Sequence, residues 1–194
     1  NLLNHNKFYF SATMVGAGQV LFDAGKTAQS FNETKLINNL ENIKIFDFQG
    51  TTKCPGLVHI DIWRNLGGWS EEFSPTGGDD TDFAMKLWKY DVRIFKGLGK
   101  SLAYHFGSIT TRKKDKSLFT YLGSKGNKIF LKKWGITINF FEKYYLNSGL
   151  NNKKKLIFNK YDGPLKSPII NLNYLVDLLK CKFFYYYLIL TNFK

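Results

Sequence analysis

An α/β domain is the fold class that this sequence predicts, and three observations carry it. Strand-like apolar runs recur at Phe8 to Val15, Val92 to Phe95 and Ser101 to Phe106. Between the first run and the last two, Thr81 to Tyr90 has helical apolar spacing. The 194 residues, 44% apolar and 17% aromatic, suffice for one domain with a real core.

The elements follow in chain order. Phe8 to Val15 and Gln19 to Phe22 read as short strands joined by Gly16-Ala17-Gly18. Thr27 to Asn42 is polar and compatible with helix. Ile43 to Phe48 alternates apolar and polar residues and predicts a strand. Pro55 to Asn65 enters a helix, with Val58, Ile62 and Leu66 at helical spacing, and Gly67-Gly68 stops it.

The clearest helix is Thr81 to Tyr90. Thr81 is expected to cap it, and Asp82 sits in the first turn, where the helix dipole favours negative charge. Phe83 with Leu87, and Ala84 with Trp88, are i,i+4 pairs on a buried side, which leaves Lys86 and Lys89 facing water. Val92 to Phe95 and Ser101 to Phe106 are then two strands, the second ending at His105. Gly107 to Ser117 is a polar, basic loop. Ser124 to Tyr145 reads as helix broken near Gly135. The run Asn151 to Lys155 is linker-like, and Asn171 to Phe193 is an apolar, aromatic helical segment interrupted by Lys180 and Lys182. Residues 1–150 thus form the main domain, and 151–194 a basic linker with a helical extension.

The formal net charge is +13, from 28 Lys+Arg against 15 Asp+Glu. Such an excess suits an anionic partner, whether a nucleotide diphosphate, a nucleic acid or an anionic membrane surface. Compositional bias explains it equally well, since much of the excess is Lys beside abundant Asn, Ile, Phe and Tyr. The two cysteines, Cys54 and Cys181, have no paired or metal-ligand spacing, which implies a reducing compartment and no zinc site. No window reaches the roughly 18 to 20 apolar residues of a membrane helix. The expected localisation is cytoplasmic or membrane-peripheral.

The chemistry concentrates between Gly67 and Phe83. Gly67-Gly68-Trp69 is followed by Glu71-Glu72-Phe73, and then Asp79-Asp80-Thr81-Asp82-Phe83 places three carboxylates within four positions. Carboxylates so close repel, and a fold keeps them together only with a metal, cations or a shared proton as compensation. Aspartates also simply start helices. His105 is either a metal ligand or a structural imidazole bonded to backbone. Arg112, Lys113 and Lys114 either close over a phosphate group or form a solvated basic loop.

These residues, with Leu87-Trp88, resemble the acceptor-side motif of family 2 glycosyltransferases: Gly-Gly-aromatic, an acidic pair near a Phe, then Glu-Asp-x-Asp opening a helix. The similarity spans roughly residues 50 to 110. It implies a Rossmann-like nucleotide-sugar transferase fold, with Asp80 as general base on an acceptor hydroxyl and Asp79 in the Glu place. By the same resemblance His105 ligates a divalent cation, Mn²⁺ or Mg²⁺; Asp79 and Asp82 are the candidate acceptor-binding residues with Trp69, which either stacks on a sugar face or packs in the core, and the cations Arg112 and Lys113 are the candidates to bind the diphosphate. The implied partners are a nucleotide-sugar donor and a glycan or lipid-linked acceptor, with no nucleic acid and with a peripheral membrane contact.

Asp80-Thr81-Asp82 is the sole Asp-x-Asp in the chain, and it lacks the apolar strand that precedes a donor-side metal motif. The expectation is therefore an acceptor-side part whose nucleotide-binding half, with most of the metal ligands, lies elsewhere. One departure from the family pattern is Asp91, which stands where a helix-ending Gly is expected. The competing readings are a non-catalytic carbohydrate-binding module and a basic nucleic-acid-binding domain. The latter needs a basic stripe with interleaved aromatics, which the separated runs Lys153 to Lys155 and Arg112 to Lys114 do not form.

Overall fold

A computed structural model of the chain describes residues 7–53, 55–74, 77–106, 125–150, 156–157 and 159–191. In chain order the elements are β1 (Phe8–Gly16), α1 (Glu33–Ile37), α2 (Leu40–Ile43), β2 (Phe48–Gln49), β3 (Gly56–Val58), α3 (Ile60–Asn65), α4 (Asp79–Lys89), β4 (Ile94–His105), α5 (Lys125–Trp134), α6 (Ile138–Tyr144), β5 (Gly149–Leu150), β6 (Leu156–Ile157) and α7 (Leu172–Leu190). The class is α/β, as the alternation predicts. The basic run 151–155 and Cys54 lie outside the described residues.

One mixed sheet organises the chain, with strand order β2-β4-β1-β3. Its centre is the parallel pair β1 and β4, from Phe8 opposite Ile94 to Gly16 opposite His105. The short β2 and β3 run antiparallel on the two edges. A small hairpin, β5 with β6, stands apart.

The two strands read at Val92 to Phe95 and Ser101 to Phe106 are one strand, β4. Gly97 and Gly99, which break the apolar pattern, sit inside it for steric reasons. A Cβ on Gly97 would collide with the Phe48 ring, and one on Gly99 with the Ile45 carbonyl. The register of β1 on β4 slips between Ala12 and Thr13, because β4 bulges there past the 45–48 segment. That segment is not the strand its alternation predicts: α2 ends at Ile43, and only Phe48–Gln49 pair. Gln19 to Phe22 is likewise not a strand. Val20 makes a single bridge to Val15, and the rest runs as loop. Gly56–Val58 pairs as β3 before the helix expected from Pro55 begins at Ile60.

The main core lies between the sheet and a layer of α4, α5, α6 and α7. Phe83, Leu87 and Trp88 of α4 are buried against Tyr9 and Phe95 of the central strands, as their spacing predicts. Phe130, Leu131, Phe140 and Phe141 of α5 and α6 continue this cluster. The helix expected over 124–145 is two helices, parted at Gly135, whose left-handed φ is 71°. The apolar C-terminal segment forms α7, which docks on α5 and α6 through Tyr174, Cys181 and Leu188. Cys181 is buried and unpaired.

Two positions show how local chemistry sets this arrangement. Asp91 has φ 67°, the left-handed conformation that Gly adopts after a helix. Its carboxylate, paired with Arg93 at 3.2 Å and Lys7 at 3.6 Å, is exposed. Asp177 on α7 accepts from Lys143 and Tyr144 of α6, both at 2.8 Å, and from Lys180 at 2.9 Å. Burial alone would raise its pKa, but these three donors outweigh it and hold the carboxyl down at about 2.

Asp91→Gly should therefore match or exceed the parent in thermal melts, because the exposed ion pairs contribute little. Asp91→Val should lose about 1 kcal/mol or more to left-handed strain. The Asp177 contribution is present above its ordinary pKa of 3.8 and lost as pH falls toward 2. The stability gap between the parent and Asp177→Asn should accordingly narrow from pH 4 to pH 2 in acid titrations followed by circular dichroism. A gap constant over that range would remove the tether.

Candidate functional site

The carboxylate cluster forms where a glycine turn feeds α4. Gly77 and Gly78 take φ of 77° and 101°, a path closed to most side chains, and α4 starts at once with Asp79. Thr81 is therefore not the cap that its position predicts. It is buried in the first turn, and Gly78 occupies the cap position. All three aspartates sit where the positive end of the helix dipole stabilises them.

They do not share one site. Residues two apart on a helix point about 200° apart, so Asp80 and Asp82 face opposite ways. Asp82 is wholly buried. It accepts from the Ser70 hydroxyl at 2.6 Å, the Trp134 indole N–H at 2.7 Å and the Lys133 ammonium at 3.1 Å. The Lys86 ammonium lies 3.9 Å away. A buried carboxylate with this many donors has no face left for an acceptor sugar. It fastens α4 to α5 and to the Trp69–Phe73 loop.

Two lysines complete that knot. Lys133 also donates to Glu72 at 2.8 Å. Burial would lower its pKa, but Glu72 and Asp82 together raise it. Lys86 does not face water as its helical position predicts. It turns back to donate to the Gly68 carbonyl at 2.9 Å, and burial lowers its pKa.

Asp80 lies on the other side, with its side chain 23% exposed. One oxygen accepts from the Thr81 backbone N–H at 2.8 Å, and the other is 3.3 Å from the Lys53 ammonium. The backbone at Lys53 is set by Tyr9 of β1, whose hydroxyl donates to the Lys53 carbonyl at 3.2 Å. Glu142 of α6 joins the same group of charges. Burial raises its pKa, the neighbouring Asp80 carboxylate adds to the rise, and Lys53 opposes it. Two carboxyls and one ammonium thus act on one another electrostatically. One carboxyl is paired with a cation, and the other is pushed toward its protonated form.

The other residues expected at the site are placed elsewhere. Trp69, 46% exposed, rests edge-on against Trp63 at 5.8 Å, next to Ser70 and hence on the Asp82 side. Asp79 is half-buried at the first position of α4. His105 ends β4 beside Gly16, and its Nδ1 lies 3.1 Å from the Ala17 carbonyl. Only an N–H can satisfy a carbonyl, so Nδ1 carries a proton, and in the neutral ring the lone pair is then on Nε2. His105 lines a cavity of about 670 Å3 at the carboxyl ends of β1 and β4, together with Gly16, Phe22, Lys26 and Tyr104. The carboxyl end of parallel strands is where open α/β sheets bind ligands. Arg112, Lys113 and Lys114 lie outside the described residues.

Lys53, Glu142 and Lys133 were not among the residues the sequence singled out. Glu142 did carry a signal, as the sole acidic residue between Asp115 and Asp162 in a strongly basic, aromatic stretch. Lys53 and Lys133 are two lysines among many, with nothing local to mark them. As to a metal, His105 can present one nitrogen, but no three His, Cys, Asp or Glu side chains converge among the described residues. These residues do not by themselves build a cation site.

Searches against protein-family models, curated proteins and solved structures return no match for this chain.

The buried knot has a measurable consequence. Asp82→Ala should lose about 3 to 5 kcal/mol in denaturant titrations, because the Trp134 indole N–H loses its acceptor and Lys133 loses the buried carboxylate that ties it to α4. Ser70→Ala should lose only about 1 kcal/mol. A mild Asp82→Ala would mean that the knot does not hold α4 to α5.

Proposed function

We propose that this chain is the acceptor-side part of a family 2-like glycosyltransferase with a Rossmann-like nucleotide-sugar fold. It would move a sugar from a nucleotide donor to a hydroxyl on a glycan or lipid-linked acceptor, in the cytoplasm. The observation that carries this reading is the division among the three aspartates. Asp82 is consumed in packing, while Asp80 alone combines the start of α4, partial solvent access and charged neighbours.

In this reading the acceptor O–H meets the Asp80 carboxylate. The proton passes to Asp80 as the oxygen bonds the anomeric carbon, and the bond from that carbon to the nucleotide diphosphate breaks. Lys53, 3.3 Å from Asp80, offsets the charge of that carboxylate while the acceptor binds. The resemblance implies an inverting outcome. A divalent cation would be held mainly by donor-side carboxylates outside this chain, with His105 Nε2 as one ligand and Arg112 and Lys113 on the diphosphate. Asp79, next to Asp80 at the start of α4, would border the acceptor, whereas Trp69 lies on the Asp82 side.

One observation favours a second reading, a carbohydrate-binding or degenerate transferase module. The Lys53 ammonium at 3.3 Å and the Thr81 N–H at 2.8 Å already engage both oxygens of Asp80. Mutation separates the two readings. In a transferase assembled with a donor-binding half, Asp80→Asn should cut turnover by about 10² or more while donor affinity holds. Near-parent turnover in Asp80→Asn would remove Asp80 from the chemistry. Acceptor binding without any turnover in the parent would establish the binding module.

A further inference from the structure

The β2 edge of the sheet holds another cavity, of about 420 Å3, which shares no residue with the Asp80 group or with the His105 cavity. Three stretches wall it: residues 45–47, the middle of β4, and Lys160 with Tyr161. Backbone bonds pin these stretches together. Ile45 donates its N–H to the Gly99 carbonyl at 3.1 Å, and Tyr161 donates to the Asp47 carbonyl at 2.8 Å. Lys160 bridges to Phe48. The β4 bulge lies here as well. Ala12 faces Leu98 and Thr13 faces Leu102, so Gly99, Lys100 and Ser101 have no partner on β1. Bulges re-aim side chains and are over-represented beside functional sites.

Charge and shape together select the ligand. Three ammonium groups, from Lys96, Lys100 and Lys160, line the cavity against one carboxylate, Asp47. Asp47 is already engaged: it pairs with Lys96 at 2.7 Å and accepts from the Gly99 N–H at 2.9 Å. Burial would raise its pKa, but these two donors and the charge of Lys100 outweigh burial and lower it. Lys96, its side chain 18% exposed, is spent on Asp47 and on the Tyr161 ring, whose centre is 5.1 Å from its nitrogen. Lys100 and Lys160 are exposed, and among the described residues neither has a carboxylate within ion-pair distance. Asp162, beside Tyr161, is exposed and does not line the cavity. Two positive charges thus stand unmatched at one small space, and a dianion relieves their repulsion. Asp47 does not exclude that dianion, because Lys96 cancels its charge. The remaining wall is apolar, with Phe46 50% exposed and Ile45 half-buried beside it. The volume is that of a small-molecule pocket.

We propose that this cavity binds a small phosphate monoester, with the phosphate held by Lys100 and Lys160 and the organic body laid against Phe46 and Ile45. At pH 8 such a phosphate carries two negative charges, since its second pKa is about 6, and its three oxygens can accept from both ammonium groups.

Calorimetric titration of the whole chain at pH 8 with phenyl phosphate and with inorganic phosphate tests this. It needs neither donor nor acceptor, so it stands or falls apart from the transferase reading. Phenyl phosphate should bind, and more tightly than inorganic phosphate, because its ring covers Phe46. Lys100→Ala, Lys160→Ala should weaken phenyl phosphate about tenfold or more, with an unchanged circular dichroism spectrum. Lys89→Ala, Lys182→Ala removes the same charge from α4 and α7, away from the cavity, and should leave the affinity unchanged. Phe46→Ala should bring the two anions to equal affinity. The proposal is overturned if neither anion binds, or if the Lys100, Lys160 variant binds phenyl phosphate as the parent does. It is also overturned if the Lys89, Lys182 variant loses as much, which would mean a general attraction to a basic chain. Equal affinity of the parent for the two anions would overturn it too, in favour of a bare anion site.

Discussion

The buried Asp82 carboxylate is the contact on which the site region depends. A carboxylate removed from water must find compensation, and here it draws in an ammonium, an indole N–H and a hydroxyl from two other segments. Those donors belong to α5 and to the loop before α4. One side chain therefore sets how three stretches of chain meet. Glu72, exposed on the same loop, closes the knot from outside through Lys133. In a chain with 28 basic residues, cations for such a knot are easily supplied, and scarce carboxylates decide where they gather.

The same geometry makes a compact acidic motif divide its labour. Aspartates at successive and alternate positions of a helix cannot converge on one ligand unless the backbone unwinds. Here α4 begins right at Asp79, so the motif is helical throughout. Asp82 is turned inward, and Asp80 is turned toward Lys53. A glycine in the left-handed conformation at Gly78 permits the helix to start so abruptly, and hence fixes which aspartate meets solvent. The neighbourhood of Asp80 is assembled from parts far apart in sequence, which is how a low-propensity arrangement of charges becomes specific.

Much of the fold was legible because its signals are local. The apolar spacing of Phe83, Leu87 and Trp88, the break at Gly135 and the strand character of Phe8 to Val15 each arise within a few residues, and each is realised in the structure. What was misread depended on distant partners. Gly97 and Gly99 look like strand breakers until Phe48 and Ile45 are seen against them. The alternation over Ile43 to Phe48 lost to the pairing available on β4, which accepts only two residues. Lys86 sits at a solvent-facing helical position, yet the carbonyls of Leu66 and Gly68 capture it. Within the site, the motif identified the aspartates but not which one is buried. That outcome is decided by Trp134 and Lys133, some fifty residues on, where no pattern announces a partner.

The parallel pairing of β1 with β4 has a consequence in time as well as in space. Phe8 finds its neighbour at Ile94, so the first strand of this sheet in chain order is completed by its last. Until then it can pair only with the three residues of β3. At a synthesis rate of about 5–20 residues per second, β1 waits roughly 4 to 17 seconds with one edge open. During that interval its apolar side chains and unpaired amides are available to chaperones or to other nascent chains. The fold therefore closes late, and its loop-closure entropy falls on a single long-range event. A truncation before Ile94 would leave no partial sheet worth the name, only a strand in search of an edge.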